Sequence, residues 1–143
     1  MPARSTEAGT GTGHDGVVTD RQERLIRLEL PVDSQYIRVA RLVASGLGAT
    51  AGLDVDGVDD LRIAVDELCA ALFEVGRGPF VELTFAVLPD EVRVTGRTEA
   101  PSVGDFDPER LVLSRQILDV ACDAYTLTLD GGYAQFSMRK STR

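Results

Sequence analysis

The sequence has few of the residues from which metal centres and disulfide frameworks are built. Its 143 residues include two cysteines, Cys69 and Cys122, and a single histidine, His14. His14 lies far from any cysteine pair with ligand spacing, so we expect no metal site and exclude a zinc or haem enzyme. Both cysteines lie in apolar stretches, which favours buried, reduced thiols. One disulfide between them stays open at this stage.

Long hydrophobic runs are also lacking. Residues 1–20 contain no apolar core of a signal peptide, and no stretch reaches the roughly 18 apolar residues that a membrane helix needs. We therefore predict no membrane association and a cytoplasmic location. Residues 1–23 are rich in glycine, threonine, serine and charge, so we predict a disordered leader there and one folded domain over residues 24–140.

Positive charge is in short supply, with 15 lysines and arginines against 23 acidic residues and a formal net charge of −8. Such a surface repels phosphate backbones and anionic lipids, so we expect no direct nucleic-acid partner and no membrane partner. The acidic balance is compatible with a basic protein partner, and it is equally a common route to solubility.

Hydrophobic periodicity predicts the element order β-α-α-β-β-α-β-β. Alternating runs indicate strands, and apolar residues three and four apart indicate helices. Because the strands arrive as hairpins with helices between them, we predict a two-layer α+β sandwich. Its sheet would be mixed and mostly antiparallel, with three helices on one face. The predicted strands are Arg24–Val32, Phe80–Leu88, Glu91–Thr98, Ala124–Leu129 and Tyr133–Arg139, and the predicted helices are Tyr36–Leu47, Asp56–Phe73 and Glu109–Ala121.

The second predicted helix carries the clearest pattern. Its core-facing stripe consists of Leu61, Ala64, Val65, Leu68 and Leu72. Beside that stripe, Glu67 lies on a flank with Ala71 one turn later. A carboxylate at the border of buried and open surface is a candidate general base. A solvated carboxylate without a catalytic role is the alternative.

The stretch Leu61–Cys69 resembles the N-box helix of the anti-sigma factor serine/threonine kinases, which belong to the histidine kinase-like (GHKL, Bergerat-fold) ATPase superfamily. The resemblance extends over Leu25–Lys140. In that family the helix carries Glu-x-x-x-Asn, where the glutamate is the base and the asparagine binds magnesium. Glu67 matches the glutamate, which implies a general base, active or vestigial. Ala71 stands at the asparagine position and has no side-chain oxygen for a hard cation.

The two other nucleotide boxes of the family are degenerate in this sequence. Glu99–Asp105 occupies the place of the Asp-x-Gly-x-Gly box, and Glu109–Ser114 occupies the place of a glycine-rich phosphate loop. Glycines are needed there because backbone N–H groups must approach the phosphates closely. The resemblance therefore implies a degenerate nucleotide site and no cofactor. ATP and Mg²⁺ would be required if the chain is an active kinase, with magnesium recruited by Asp60, Asp66 or Glu74.

The resemblance implies a regulator that sequesters an alternative sigma factor and is released by an anti-anti-sigma protein, with homodimerisation possible. Arg38 and Arg41, on the exposed side of the first predicted helix, are carried over as partner-binding residues; two solvated arginines are the alternative. A second hypothesis is an ATP-dependent serine/threonine kinase that phosphorylates the anti-anti-sigma protein, so whether the chain is an enzyme stays open. A structural or dimerisation module on the same fold is a third.

Overall fold

A computed structural model describes residues 23–100 and 108–142 of the chain. These form a five-stranded sheet and three helices, in agreement with the predicted two-layer α+β sandwich. The strands are β1 Arg24–Pro31, β2 Phe80–Leu88, β3 Glu91–Glu99, β4 Ala124–Asp130 and β5 Tyr133–Ser141, and the helices are α1 Ile37–Thr50, α2 Val55–Val75 and α3 Pro108–Ala121.

The sheet has the strand order β1-β2-β3-β5-β4, and all four described pairings are antiparallel. The two predicted hairpins, β2-β3 and β4-β5, are both present. In the second hairpin, Gly131 and Gly132 have φ angles of 61° and 86°, the left-handed conformation that its tight turn needs. Side chains alternate along β2, β3 and β5 between a buried face under the helices and an open face.

Helix α1 extends further than the sequence predicted. We expected Gly46 and Gly48 to end the helix, but it continues through both to Thr50, and Gly52 follows with a φ angle of 91°. Close packing explains the presence of Gly48 in the helix. A Cβ atom built there would lie 3.1 Å from a methyl carbon of Leu61 on α2. Gly48 therefore lets α1 and α2 approach each other.

Helix α2 forms the centre of the core, and the predicted stripe Leu61, Ala64, Val65, Leu68 and Leu72 is fully buried. The helix begins after Asp54, whose side chain accepts a 2.7 Å hydrogen bond from the backbone N–H of Gly57. Helix α2 is 21 residues long. Glu67 lies near its middle.

Helix α3 packs Ser114 and two apolar side chains into the interior. Ser114 is 2% exposed, whereas Leu113 is 55% exposed, and Leu118 and Ala121 are buried. The side chain of Leu111, the leader and residues 101–107 lie outside the described part of the chain. Within that described part, no helix is long and apolar enough to span a membrane.

Candidate functional site

Glu67 projects from α2 at the boundary between the helix layer and solvent, and its side chain is half-buried. Its Oε2 atom accepts a hydrogen bond of 2.5 Å from the Oγ atom of Ser114, which α3 buries against α2. A hydroxyl-to-carboxylate bond of this length is charge-assisted and strong. This hydrogen bond therefore links the candidate base Glu67 to helix α3. No pattern in the sequence indicates this contact, because 47 residues separate the two side chains.

Ala71 lies one turn after Glu67 on α2 and is 3% exposed. Its methyl group is packed in the protein interior, so position 71 offers neither an oxygen ligand nor open space beside Glu67. A hard cation needs oxygen ligands that converge on one point. Glu67 and Ala71 together therefore do not form the metal-binding pair of the N-box.

The other carboxylates considered as magnesium ligands are directed to different places. Asp60 accepts a 3.2 Å hydrogen bond from the Nζ atom of Lys140 on β5, and Asp66 pairs with an arginine of α1. Glu74 is exposed and lines a separate surface groove with Phe73. Over residues 23–100 and 108–142, no three His, Cys, Asp or Glu side chains converge as a metal site. These described carboxylates therefore do not converge on one magnesium ion beside α2.

A groove with a volume of about 320 Å³ opens between the start of α1 and the middle of α2. We call it the arginine groove, because Arg38 and Arg41 form one wall of it. The other lining residues are Ser34, Gln35, Ile37, Asp66, Glu67 and Ala70. The structure therefore brings together Glu67 and the two arginines, which the sequence had suggested for separate roles.

Arg41 is held in place by Asp66 across the groove. Its Nε and Nη2 atoms both donate to Oδ1 of Asp66, at 3.1 and 3.0 Å. The pair is half-exposed, so it contributes at most about 1 kcal/mol to stability but fixes the direction of the guanidinium. Arg38, one turn earlier, forms no ion pair with any residue that the structure describes, and its charge is available to a ligand.

Both cysteines are free and buried, as the sequence favoured. Burial, together with the nearby charge of Asp66, raises the pKa of the Cys69 thiol to about 12. Burial is also the main cause that raises the pKa of Cys122 to about 11, and Asp123 adds to it. Both thiols therefore stay protonated near neutral pH, and neither is an activated nucleophile.

Comparison with known proteins finds serine-protein kinases named RsbW among the relatives of this chain. The chain is 30% identical over 90 residues to the serine-protein kinase RsbW of Bacillus velezensis, covering 59% of this chain and 55% of the relative. It is 23% identical over 127 residues to RsbW of Bacillus licheniformis, covering 75% of this chain and 79% of the relative. The chain resembles the RsbW serine-protein kinases. The resemblance inferred from the N-box helix is thereby confirmed.

The fold is shared with a solved structure that contains an RsbW domain. The crystal structure of the RsbU and RsbW domains of a Mycobacterium tuberculosis protein superposes with a TM-score of 0.65 at 14% identity. The match covers 82% of this chain and 32% of that one. No protein-family model matches the chain. The chain spans 55% of the length of the first two RsbW relatives, so what those proteins do as wholes bears on this chain only as a proposal.

Proposed function

We propose that the chain is an anti-sigma factor-like regulator that binds and sequesters an alternative sigma factor and is released by an anti-anti-sigma protein. The observation that carries this proposal is the buried Ala71 beside a Glu67 that is hydrogen-bonded to Ser114. The N-box helix keeps its core stripe while its metal-binding position is apolar and closed. The similarity to RsbW supports the same proposal.

The arginine groove is the surface that we assign to the partner. Arg38 is exposed and has no ion-pair partner in the described structure, so it is free to donate to a carboxylate of a bound protein. Arg41 is oriented by Asp66, which removes part of the entropy cost of ordering its side chain on binding. An arginine at the centre of an interface is among the residues that contribute most to affinity.

Calorimetric titration of the full chain with the alternative sigma factors of its host tests this proposal. We expect one of them to bind, and Arg38→Ala to weaken that complex by about 1–2 kcal/mol. Arg27→Ala is the matched control, because Arg27 is an exposed arginine on β1, away from the groove. Failure of every sigma factor to bind, or equal losses for the two variants, would contradict the proposal.

An ATP-dependent serine/threonine kinase acting on an anti-anti-sigma protein is the second candidate. Two observations favour it: the relatives are named serine-protein kinases, and Glu67 lines the groove next to both arginines. In this alternative Glu67 would accept the proton of a substrate serine, and one of the carboxylates Asp60, Asp66 and Glu74 would have to recruit the magnesium ion.

A thermal-shift assay with Mg-ATP and Mg-ADP separates the two candidates. A nucleotide present at a hundred times its dissociation constant should stabilise the fold by about 2.7 kcal/mol. We expect no shift at millimolar nucleotide, in keeping with a chain that needs no cofactor. A clear shift, together with transfer of phosphate to the anti-anti-sigma protein, would establish the kinase. A cytoplasmic location and homodimerisation complete the proposal.

A further inference from the structure

The open face of the sheet, on the side away from the helices, carries a second groove with a volume of about 210 Å³. We call it the acidic groove. It is formed where β1, β2, β3 and β5 lie side by side, and it combines carboxylates with two aromatic rings. The residues that matter for its chemistry are Glu29, Glu82, Glu99, Phe80, Tyr133 and Arg97.

Two of these carboxylates are direct neighbours. Glu29 on β1 is opposite Glu82 on β2 in the antiparallel register, and both side chains are exposed on the open face. Like charges directly opposite each other destabilise a sheet. Neither glutamate forms an ion pair with any cation within residues 23–100 and 108–142. The fold therefore keeps an unfavourable charge pair that a bound cation would relieve.

The cross-strand neighbour of this pair on β3 is a cation that is turned away from it. Arg97 on β3 is the cross-strand neighbour of Glu82, yet its guanidinium stacks on the ring of Tyr133, 3.7 Å from the ring centroid. This contact is a cation–π interaction within the groove. The contact shows that an aromatic ring on this surface can bind a guanidinium. Because Arg97 stacks on Tyr133, Glu29 and Glu82 are available to another cation.

A second ring is open to solvent. Phe80 is 47% exposed and lies on the same face of β2 as Glu82, two residues away, which places them about 7 Å apart. A planar guanidinium can stack on an aromatic face while its N–H groups donate to a nearby carboxylate. Phe80 and the glutamate pair offer both contacts within the reach of one arginine side chain.

We propose that the acidic groove binds an arginine side chain from a basic segment of a partner protein. The bound guanidinium stacks on Phe80 and bridges Glu29 and Glu82. Charge complementarity selects the occupant, since the lining carries three carboxylates against one arginine that is already engaged with Tyr133. This surface is on the opposite side of the sheet from the arginine groove, and the inference does not depend on the proposed function.

Titration of the full ¹⁵N-labelled chain with the peptide amide Arg-Gly-Arg-Gly-Arg, followed by amide chemical shifts, tests the proposal. We expect saturable shifts confined to the groove strands around Glu29, Phe80–Glu82 and Arg97–Glu99. The variant Glu29→Gln/Glu82→Gln should bind about tenfold more weakly, because it loses charge-assisted hydrogen bonds. Phe80→Leu, which keeps the apolar bulk and removes the ring, should bind about threefold more weakly.

The controls separate groove binding from general attraction to an acidic protein. Asp90→Asn removes an exposed carboxylate at the β2-β3 turn and should leave the affinity unchanged. A peptide with citrulline in place of arginine should not bind. The melting temperature of Glu29→Gln/Glu82→Gln should equal or exceed that of the parent, since the charge repulsion is removed. The proposal would be overturned if this variant and the parent bound the peptide with equal affinity, or if the chemical shift changes were spread over all acidic surfaces. It would also be overturned if the groove signals shifted with protein concentration in the absence of peptide, because a second copy of the chain would then occupy the groove.

Discussion

The side chain at position 71 separates this chain from a magnesium-dependent N-box helix. An asparagine there would require room for an amide and partners for its polar atoms, but the site is 3% exposed and Glu67 already accepts from Ser114. A buried amide without hydrogen-bond partners costs free energy. The alanine is thus consistent with the packing of α2 as well as with the loss of a metal ligand.

Replacing Ala71 with asparagine should therefore destabilise the fold. We expect Ala71→Asn to lower the free energy of unfolding by about 1–3 kcal/mol, because the larger polar side chain overfills a closed site. Urea denaturation followed by circular dichroism measures the change. Ala70→Asn is the matched control, since Ala70 is half-buried at the wall of the arginine groove and its variant can reach solvent. If the two variants were equally stable and Ala71→Asn gained Mg-ATP binding, the result would instead favour a nucleotide site that lacks only the magnesium ligand at position 71.

The placement of the candidate residues was predictable where local spacing governs it. Helical periodicity puts Glu67 and Ala71 one turn apart on one flank of α2, and the roles assigned to them are predictions that come from the family resemblance. The hydrogen bond of Ser114 to Glu67 and the pair between Arg41 and Asp66 join separate helices. No periodicity connects residues on different helices, so these contacts depend on how the helices pack, which the sequence pattern alone does not specify.

At the scale of elements, the strands and helices were predictable because each has a clear apolar period, and most ends agree within a few residues. The exception is the end of α1. Gly46 and Gly48 were interpreted as helix breakers because glycine has a low helix propensity. Tertiary packing outweighs that propensity at Gly48, whose missing side chain makes space for Leu61. A glycine in a sequence does not by itself distinguish a helix end from a close contact.

Two glycines allow this distinction to be measured. Gly96 on β3 faces the core, where an added Cβ would overlap a ring carbon of Phe136 and lie 2.9 Å from a methyl carbon of Leu83. We expect Gly96→Ala to lower the free energy of unfolding by about 1–3 kcal/mol through overpacking. Gly46→Ala meets no atom within 4 Å and should raise it by about 0.5–1 kcal/mol through helix propensity.

Chemical denaturation midpoints of the two glycine variants and the parent check both signs in one experiment. The opposite signs matter more than the sizes, because both changes add the same methyl group. A destabilising Gly46→Ala would indicate that the end of α1 is not helical as described. A neutral Gly96→Ala would indicate that Phe136 can move away at little cost.

The whole molecule carries a charged groove on each side of the sheet. The helix layer presents Arg38 and Arg41 in one groove, and the open face of the sheet presents Glu29 and Glu82 in the other. The net charge of −8 describes neither groove. If both proposals hold, the chain would contact an acidic element of one protein and a basic element of the same or another protein, without competition for one groove.

If the two grooves act independently, each variant should affect only one ligand. We expect Arg38→Ala to weaken sigma factor binding and to leave the affinity for the arginine peptide unchanged. We expect Glu29→Gln/Glu82→Gln to weaken peptide binding, and the combined variant to show the sum of the separate effects within about 0.5 kcal/mol. Calorimetric titration of the parent and the three variants with both ligands gives the eight affinities that the comparison needs. A loss of sigma factor binding in the glutamate variant would show that one partner spans both faces. A non-additive combined variant would show that the sheet transmits binding at one groove to the other.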